Sequence, residues 1–142
     1  MPEFKKPGPR PANEALTRPF WEAAQQHRFV VPQCVACDDF FWPPRAACPS
    51  CLREAWKWAE VSGRARLYSF TIVRQPANPA FLEGVPYVYA LVDLEEGIRM
   101  VSNVVDCLLD DLQNEMSLVA MFEEMGDGWT LVKFRPARRQ AR

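Results

Sequence analysis

Cys34-Val35-Ala36-Cys37 and Cys48-Pro49-Ser50-Cys51 stand ten residues apart, and no other feature constrains the fold of this chain as strongly. A Cys-x-x-Cys turn lets two sulfurs converge while the intervening backbone N–H groups point at them. A second turn at this separation supplies the other half of a tetrahedron, and zinc is the usual occupant of four such thiolates. One pair alone would also fit a redox disulfide. Two pairs so close together point to a structural site, with Cys34, Cys37, Cys48 and Cys51 as the ligands. The fifth cysteine, Cys107, lies beside Leu108 and Leu109 and reads as a small buried hydrophobe rather than a reactive thiol.

The chain has 142 residues, 49% hydrophobic and 25% charged, enough for a small metal module plus one compact domain. It holds no apolar run near the roughly 20 residues that span a bilayer, so no membrane association is expected. The first residues are basic but lack the apolar segment of a secretory signal. Metal-spaced cysteines suit a reducing compartment; the expectation is a cytoplasmic protein. Net charge is only −1, but residues 91–127 carry ten acidic groups against Arg99 alone. The last twelve residues carry five basic groups and no acid.

Four segments follow. Residues 1–16 are proline-rich and read as an extended arm. Residues 17–59 read as a short helix and the metal ribbon, the helix capped by Thr17 with Pro19 in its first turn. Phe20, Ala24 and His27 share one helix face, with Trp21 beside them. His27, the single histidine, fits a packing residue or a C-terminal charge partner better than a general base. Residues 29–33 form a strand entering the first cysteine turn. Phe40-Phe41-Trp42 must pack on something outside so small a module: a neighbouring domain, or a partner or ligand surface. Trp56 and Trp58 alternate on a strand and are expected to seal the joint to the next domain.

Residues 60–136 alternate as strands over 65–73, 85–94, 98–105, 117–123 and 129–135. A proline-containing loop fills 75–84, and one helical turn is expected over 107–114, capped by Asp106. Gly126-Asp127-Gly128 makes a hairpin turn. Five strands with a short helix between the third and fourth match an OB-fold barrel, with a five-stranded sandwich as the alternative. Residues 137–142 form a basic tail. The fold class is thus mainly β: N-terminal helix, rubredoxin-like zinc ribbon, then a five-stranded OB-fold barrel.

These residues resemble the family of small zinc-ribbon plus OB-fold proteins, long catalogued as a domain of unknown function, that accompany thiolase-superfamily enzymes. The resemblance rests on Phe20-Trp21, both cysteine pairs, Trp42-Pro43-Pro44-Arg45, Val61-Ser62-Gly63-Arg64 and Tyr68-Ser69-Phe70-Thr71. It continues through Val85-Pro86-Tyr87, Glu96-Gly97-Ile98-Arg99, Asn103 and Phe134-Arg135-Pro136, so it covers residues 20–136. One departure stands out: where a glycine commonly follows each pair, this chain has Asp38 and Leu52. Leucine tolerates the left-handed conformation poorly, so the second turn is expected to differ in backbone geometry.

The resemblance implies a non-catalytic zinc-binding subunit in a hetero-oligomer with a thiolase-like or lipid-transfer-type enzyme. Such enzymes make or break C–C bonds in acyl-CoA substrates, and the subunit helps assemble the complex and bind the CoA substrate. No Ser/His/Asp set is present, and a four-thiolate zinc has no open position at which to activate water. Arg45, Arg53, Arg64 and Arg74 are candidate partners for CoA phosphates, each also readable as an ordinary surface charge. Two other readings stay open. A nucleic-acid-binding protein could stack bases on Tyr68, Phe70, Tyr87 and Tyr89, although an acidic barrel lacks the positive footprint this needs. A free-standing acyl-CoA carrier would bind its ligand without a partner.

Overall fold

The computed structural model describes residues 8, 9, 11 and 14–137. The arm expected over 1–16 and the tail expected over 137–142 lie mostly outside these residues. Helix α1 (Glu14–Gln25) begins one turn earlier than Thr17 and holds Pro19 in its interior. The displaced start is tolerated because the carbonyl that Pro19 leaves without its usual donor belongs to Ala15, an exposed residue. Phe20, Ala23 and Ala24 are buried, and α1 lies against the strands Val30–Cys34 and Thr130–Pro136. The helix closes in a Schellman motif: Arg28 N–H donates to Ala23 O and His27 N–H to Ala24 O, both at 2.9 Å, with His27 left-handed at φ 58°.

Strands β1 (Val30–Cys34) and β2 (Trp56–Glu60) form an antiparallel pair. The cysteine turns hang from its end, since Cys34 closes β1 and faces Trp56 across the ladder. The remaining strands are β3 (Arg64–Val73), β4 (Tyr87–Leu94), β5 (Arg99–Val104), β6 (Ser117–Glu124) and β7 (Thr130–Pro136). They close into a barrel in the order β3-β4-β5-β7-β6. Antiparallel pairing of β3 with β6 and a parallel bridge from Val104 to Phe134 complete the ring. Closure selects the OB-fold and removes the sandwich alternative.

Alternation along the strands sends Leu67, Val88, Ala90, Val92, Leu118 and Phe134 inward, each no more than 4% exposed. A bulge in β3 between Leu67 and Ser69 interrupts the register with β4, and Tyr68 stands 43% exposed there. The loop over 75–84 contains a 3-10 turn at Pro79–Gly84, whose N-cap Asn78 accepts from Ala80 N–H at 2.9 Å. The turn after β5 is shorter than expected, a single 3-10 turn at Leu109–Asp111. Asp106 does not cap it. That residue is left-handed at φ 55°, so the chain reverses direction before the turn begins.

Candidate metal centre

The structure brings the Cys34, Cys37, Cys48 and Cys51 sulfurs to within 4.8 Å of one another. Cys34 Sγ lies 3.5 Å from Cys51 Sγ, and Cys37 Sγ lies 3.7 Å from Cys48 Sγ. A tetrahedron with zinc–sulfur bonds of about 2.3 Å has edges of about 3.8 Å, so the four thiolates fit one such ion. The Ala36 and Cys37 N–H groups point at Cys34 Sγ from 3.3 and 3.5 Å, which favours its thiolate. Led by the Cys37 N–H, and against burial, these donors lower the Cys34 thiol from 9.0 to about 7. Cys37 and Cys51 move the other way. The Asp39 and Arg53 N–H groups pull them down, but burial and neighbouring thiols outweigh those donors.

The two cysteine turns are built alike. Asp38 N–H donates to Cys34 O at 3.0 Å and Leu52 N–H to Cys48 O at 2.8 Å. Cys34 N–H then donates to Asp39 O, and Cys48 N–H to Arg53 O, both at 2.8 Å. Asp38 has φ 64° and Leu52 φ 66°. The expectation that Leu52 changes the second turn is therefore overturned. Leucine is held in the left-handed region, the conformation that turns the chain back so that Arg53 O accepts from Cys48 N–H.

The ribbon has a small core of Cys34, Cys48 and Phe41, with Cys51 and Trp56 packed against it. Its other aromatics turn to the barrel. Phe40, Trp42 and Trp58 join the main core, and Trp42 stacks at a tilt on Phe20 with centroids 5.0 Å apart. Trp56 and Trp58, 5.4 Å apart, link the two clusters. Of the two readings of Phe40-Phe41-Trp42, packing within the chain accounts for all three rings.

The four arginines do not form one cluster. Arg64 is gripped by Glu95 through Nε at 2.8 Å and Nη2 at 2.6 Å. Arg74 follows the far end of β3, so at about 3.3 Å per residue these two stand too far apart to share a pyrophosphate. Arg45 and Arg53 are exposed on the ribbon. His27 donates from Nε2 to Glu124 Oε2 over 2.8 Å and stacks on Phe122 with centroids 5.0 Å apart, so it both packs and pairs.

One feature escaped the sequence reading. Lys133 is 8% exposed, and its Nζ sits 2.7 Å from Glu123 Oε1. The β6–β7 register, Met121↔Lys133 and Glu123↔Leu131, makes the two a diagonal pair. Counting back from the Gly126–Gly128 hairpin would have found it. Among the described residues, no helix is long and apolar enough to cross a membrane.

Comparison with known proteins adds a second line of observation. Residues 21–57 match the model of the ChsH2 rubredoxin-like zinc ribbon domain, and residues 58–123 match that of the ChsH2 C-terminal OB-fold domain. The chain is 36% identical over 110 residues to a "DUF35 domain-containing scaffold protein" of Methanothermobacter thermautotrophicus, covering 73% of this chain and 81% of that one. It is 39% identical over 129 residues to a "Probable enoyl-CoA hydratase alpha subunit" of Thermomonospora curvata. That match covers 91% of this chain but only 40% of the relative's length. A solved structure described as "Ltp2-ChsH2(DUF35) aldolase" superposes with a TM-score of 0.80 at 38% identity, covering 89% of this chain and 98% of that chain.

Proposed function

This chain belongs to the ChsH2 (DUF35) family of zinc-ribbon and OB-fold proteins, and on that premise we propose that it is the non-catalytic zinc-binding subunit of a thiolase-superfamily complex. The partner makes or breaks a C–C bond in an acyl-CoA substrate, and this chain helps to assemble the complex and bind the substrate. The observation that carries the reading is the likeness to a chain of the solved "Ltp2-ChsH2(DUF35) aldolase", over nearly that chain's whole length. The hydratase relatives lend less, since this chain spans under half of the Thermomonospora protein.

The site's chemistry supports the same reading. One zinc held by Cys34, Cys37, Cys48 and Cys51 would be saturated by protein sulfur, so it would stabilise a shape and leave no open position for water. Binding free energies of roughly 10–16 kcal/mol in small zinc modules are ample for a ribbon whose own core is as small as Phe41 and Trp56. The place of action is the cytoplasm, where thiols stay reduced.

The test is co-expression with the thiolase-like protein encoded beside this chain, followed by size exclusion and a C–C bond assay. Co-elution, with activity lost when this chain is omitted, is the expected result. Separate elution, with the partner fully active alone, overturns the proposal.

A further inference from the structure

The barrel closes on itself, but the ribbon sheet does not. It has two strands, β1 and β2, and among the described residues its one further bridge, Gln33↔Phe40, lies on the β1 side. The hydrogen bonds fix which way the backbone of β2 points. On β1, Pro32 O accepts from Phe41 N–H at 3.1 Å and Cys34 N–H donates to Asp39 O at 2.8 Å, so both groups face away from β2. Directly opposite residues of an antiparallel ladder either bond each other or both point outward. Trp58 and Trp56, which stand opposite Pro32 and Cys34, therefore face away from β1. At the other end Val61 N–H donates to Phe29 O at 2.9 Å, which keeps the same phase and adds Glu60 to the outward set.

Trp56, Trp58 and Glu60 thus hold their N–H and C=O groups out from the free side of β2. None of these backbone groups has a hydrogen-bond partner among the described residues. Such an edge is a template for one more strand. Lys57 and Glu60 are exposed there, and Trp56 and Trp58 are half-buried. Alternation puts both tryptophans and Glu60 on one face and Lys57 on the other. Glu60 is met by Arg28 Nε at 3.5 Å, whereas Lys57 has no ion-pair partner among the described residues. A second copy of β2 fits this edge poorly. The antiparallel register that uses every outward residue sets Trp58 opposite Trp58 and Lys57 diagonal to Lys57, about 7–8 Å apart, where the two charges repel. A strand with a carboxylate opposite Lys57 turns that repulsion into attraction, and apolar residues on either side of the carboxylate fall beside the tryptophan rings.

We propose that the free edge of β2 docks an extended protein segment of the pattern apolar–acidic–apolar, which adds a third, antiparallel strand to the ribbon with its carboxylate on Lys57. Backbone bonds to Trp56, Trp58 and Glu60 supply the attraction, and Lys57 supplies the choice of partner. The inference holds whichever protein carries the segment. Its readout is the amide protons of β2 itself, so its failure is distinguishable from failure of the assembly reading.

The test is amide hydrogen exchange by NMR on the full zinc-loaded chain. The Lys57 and Ala59 amides, bonded to β1, should exchange slowly, and those of Trp56, Trp58 and Glu60 fast. The probe is a head-to-tail cyclised β-hairpin peptide whose outer strand reads Thr-Val-Glu-Val-Thr, with the valine N–H and C=O groups outward and the other edge blocked by N-methylation. Preorganisation of this kind lowers the entropy cost of pairing. It should slow the three outward amides, with half-saturation at about 1 mM or below. A hairpin with lysine in place of the glutamate should bind at least about fivefold more weakly. Lys57→Glu should reverse the preference, with unchanged zinc content and Lys57-site exchange showing that the ribbon is intact. Slow exchange of the outward amides in the free chain, protection that rises with protein concentration alone and so marks a second copy, no protection by either hairpin, equal binding of both, or an unreversed preference in Lys57→Glu overturns the proposal.

Discussion

Leu52 and Asp38 occupy equivalent positions in the two cysteine turns and share one left-handed backbone conformation, φ 66° and 64°. Each donates its N–H to the first cysteine of its pair, at 2.8 and 3.0 Å. The hydrogen bonds between Cys48 and the Leu52–Arg53 backbone hold this turn, and leucine adopts it at a cost of roughly 1–2 kcal/mol. Its side chain, 77% exposed, recovers little of that cost by burial within the chain.

Leu52→Gly should therefore stabilise the ribbon. Part of the relieved strain is offset by the extra freedom of glycine in the unfolded chain, so the net gain is expected to be at most about 1 kcal/mol. A higher melting temperature, together with slower zinc transfer to a chelator, is the expected outcome. A lower melting temperature would mean that the leucine side chain makes a stabilising contact.

Cys34→Ser removes a fully buried sulfur from a site that needs all four. Zinc content should fall from about one per chain towards zero, and assembly with the partner enzyme should be lost. The barrel keeps its own core and should keep most of its β-sheet circular dichroism. Cys107→Ser is the matched control and should retain zinc. Atomic emission and size exclusion read both variants.

Gly63 links ribbon and barrel at φ 84°, and its carbonyl accepts from Ala120 N–H at 2.8 Å. A Cβ placed there would lie 3.3 Å from Ala120 Cβ. Gly63→Ala should destabilise the chain by about 1–2 kcal/mol, through left-handed strain and crowding at the β6 contact. Urea unfolding measures it as a lower midpoint with an unchanged slope.

Glu95 is held below the usual carboxylate range, first by its hydrogen bond from Arg64 and, against burial, by the guanidinium charge. A lowered folded-state value means that the pair contributes stability above the unfolded carboxylate range, near pH 4.3. That contribution is lost as pH falls through the lower folded value. Both groups are more than half exposed, so the effect is small and salt-sensitive. Wild type should exceed Glu95→Gln in urea stability at pH 7, with the gap closing as pH falls below the unfolded carboxylate range. A gap that widens on acidification would contradict the pairing.

Much of this architecture was legible because its signals are local. Cysteine spacing is set by one turn. Two-residue alternation marks each strand, and Gly126-Asp127-Gly128 marks the last hairpin. The misjudged boundaries were those where neighbours decide. Helix α1 starts at Glu14 rather than Thr17, because the carbonyl that Pro19 leaves without a donor belongs to the exposed Ala15 and can turn to water. The conformational preference of Leu52 itself points away from the left-handed region, but the bond from Cys48 N–H to Arg53 O prevails.

By itself, then, the sequence determined a four-thiolate ribbon, five strands in order, and a chain whose single histidine offers little catalytic chemistry. Barrel closure decided the rest. It turned Phe40 and Trp42 inward and set Trp21, Cys107 and the Lys133–Glu123 pair around one cavity. Those residues come from segments distant in the chain, and no local pattern encodes their meeting. Their proximity is a consequence of strand order and shape, which exist only once the ring is closed.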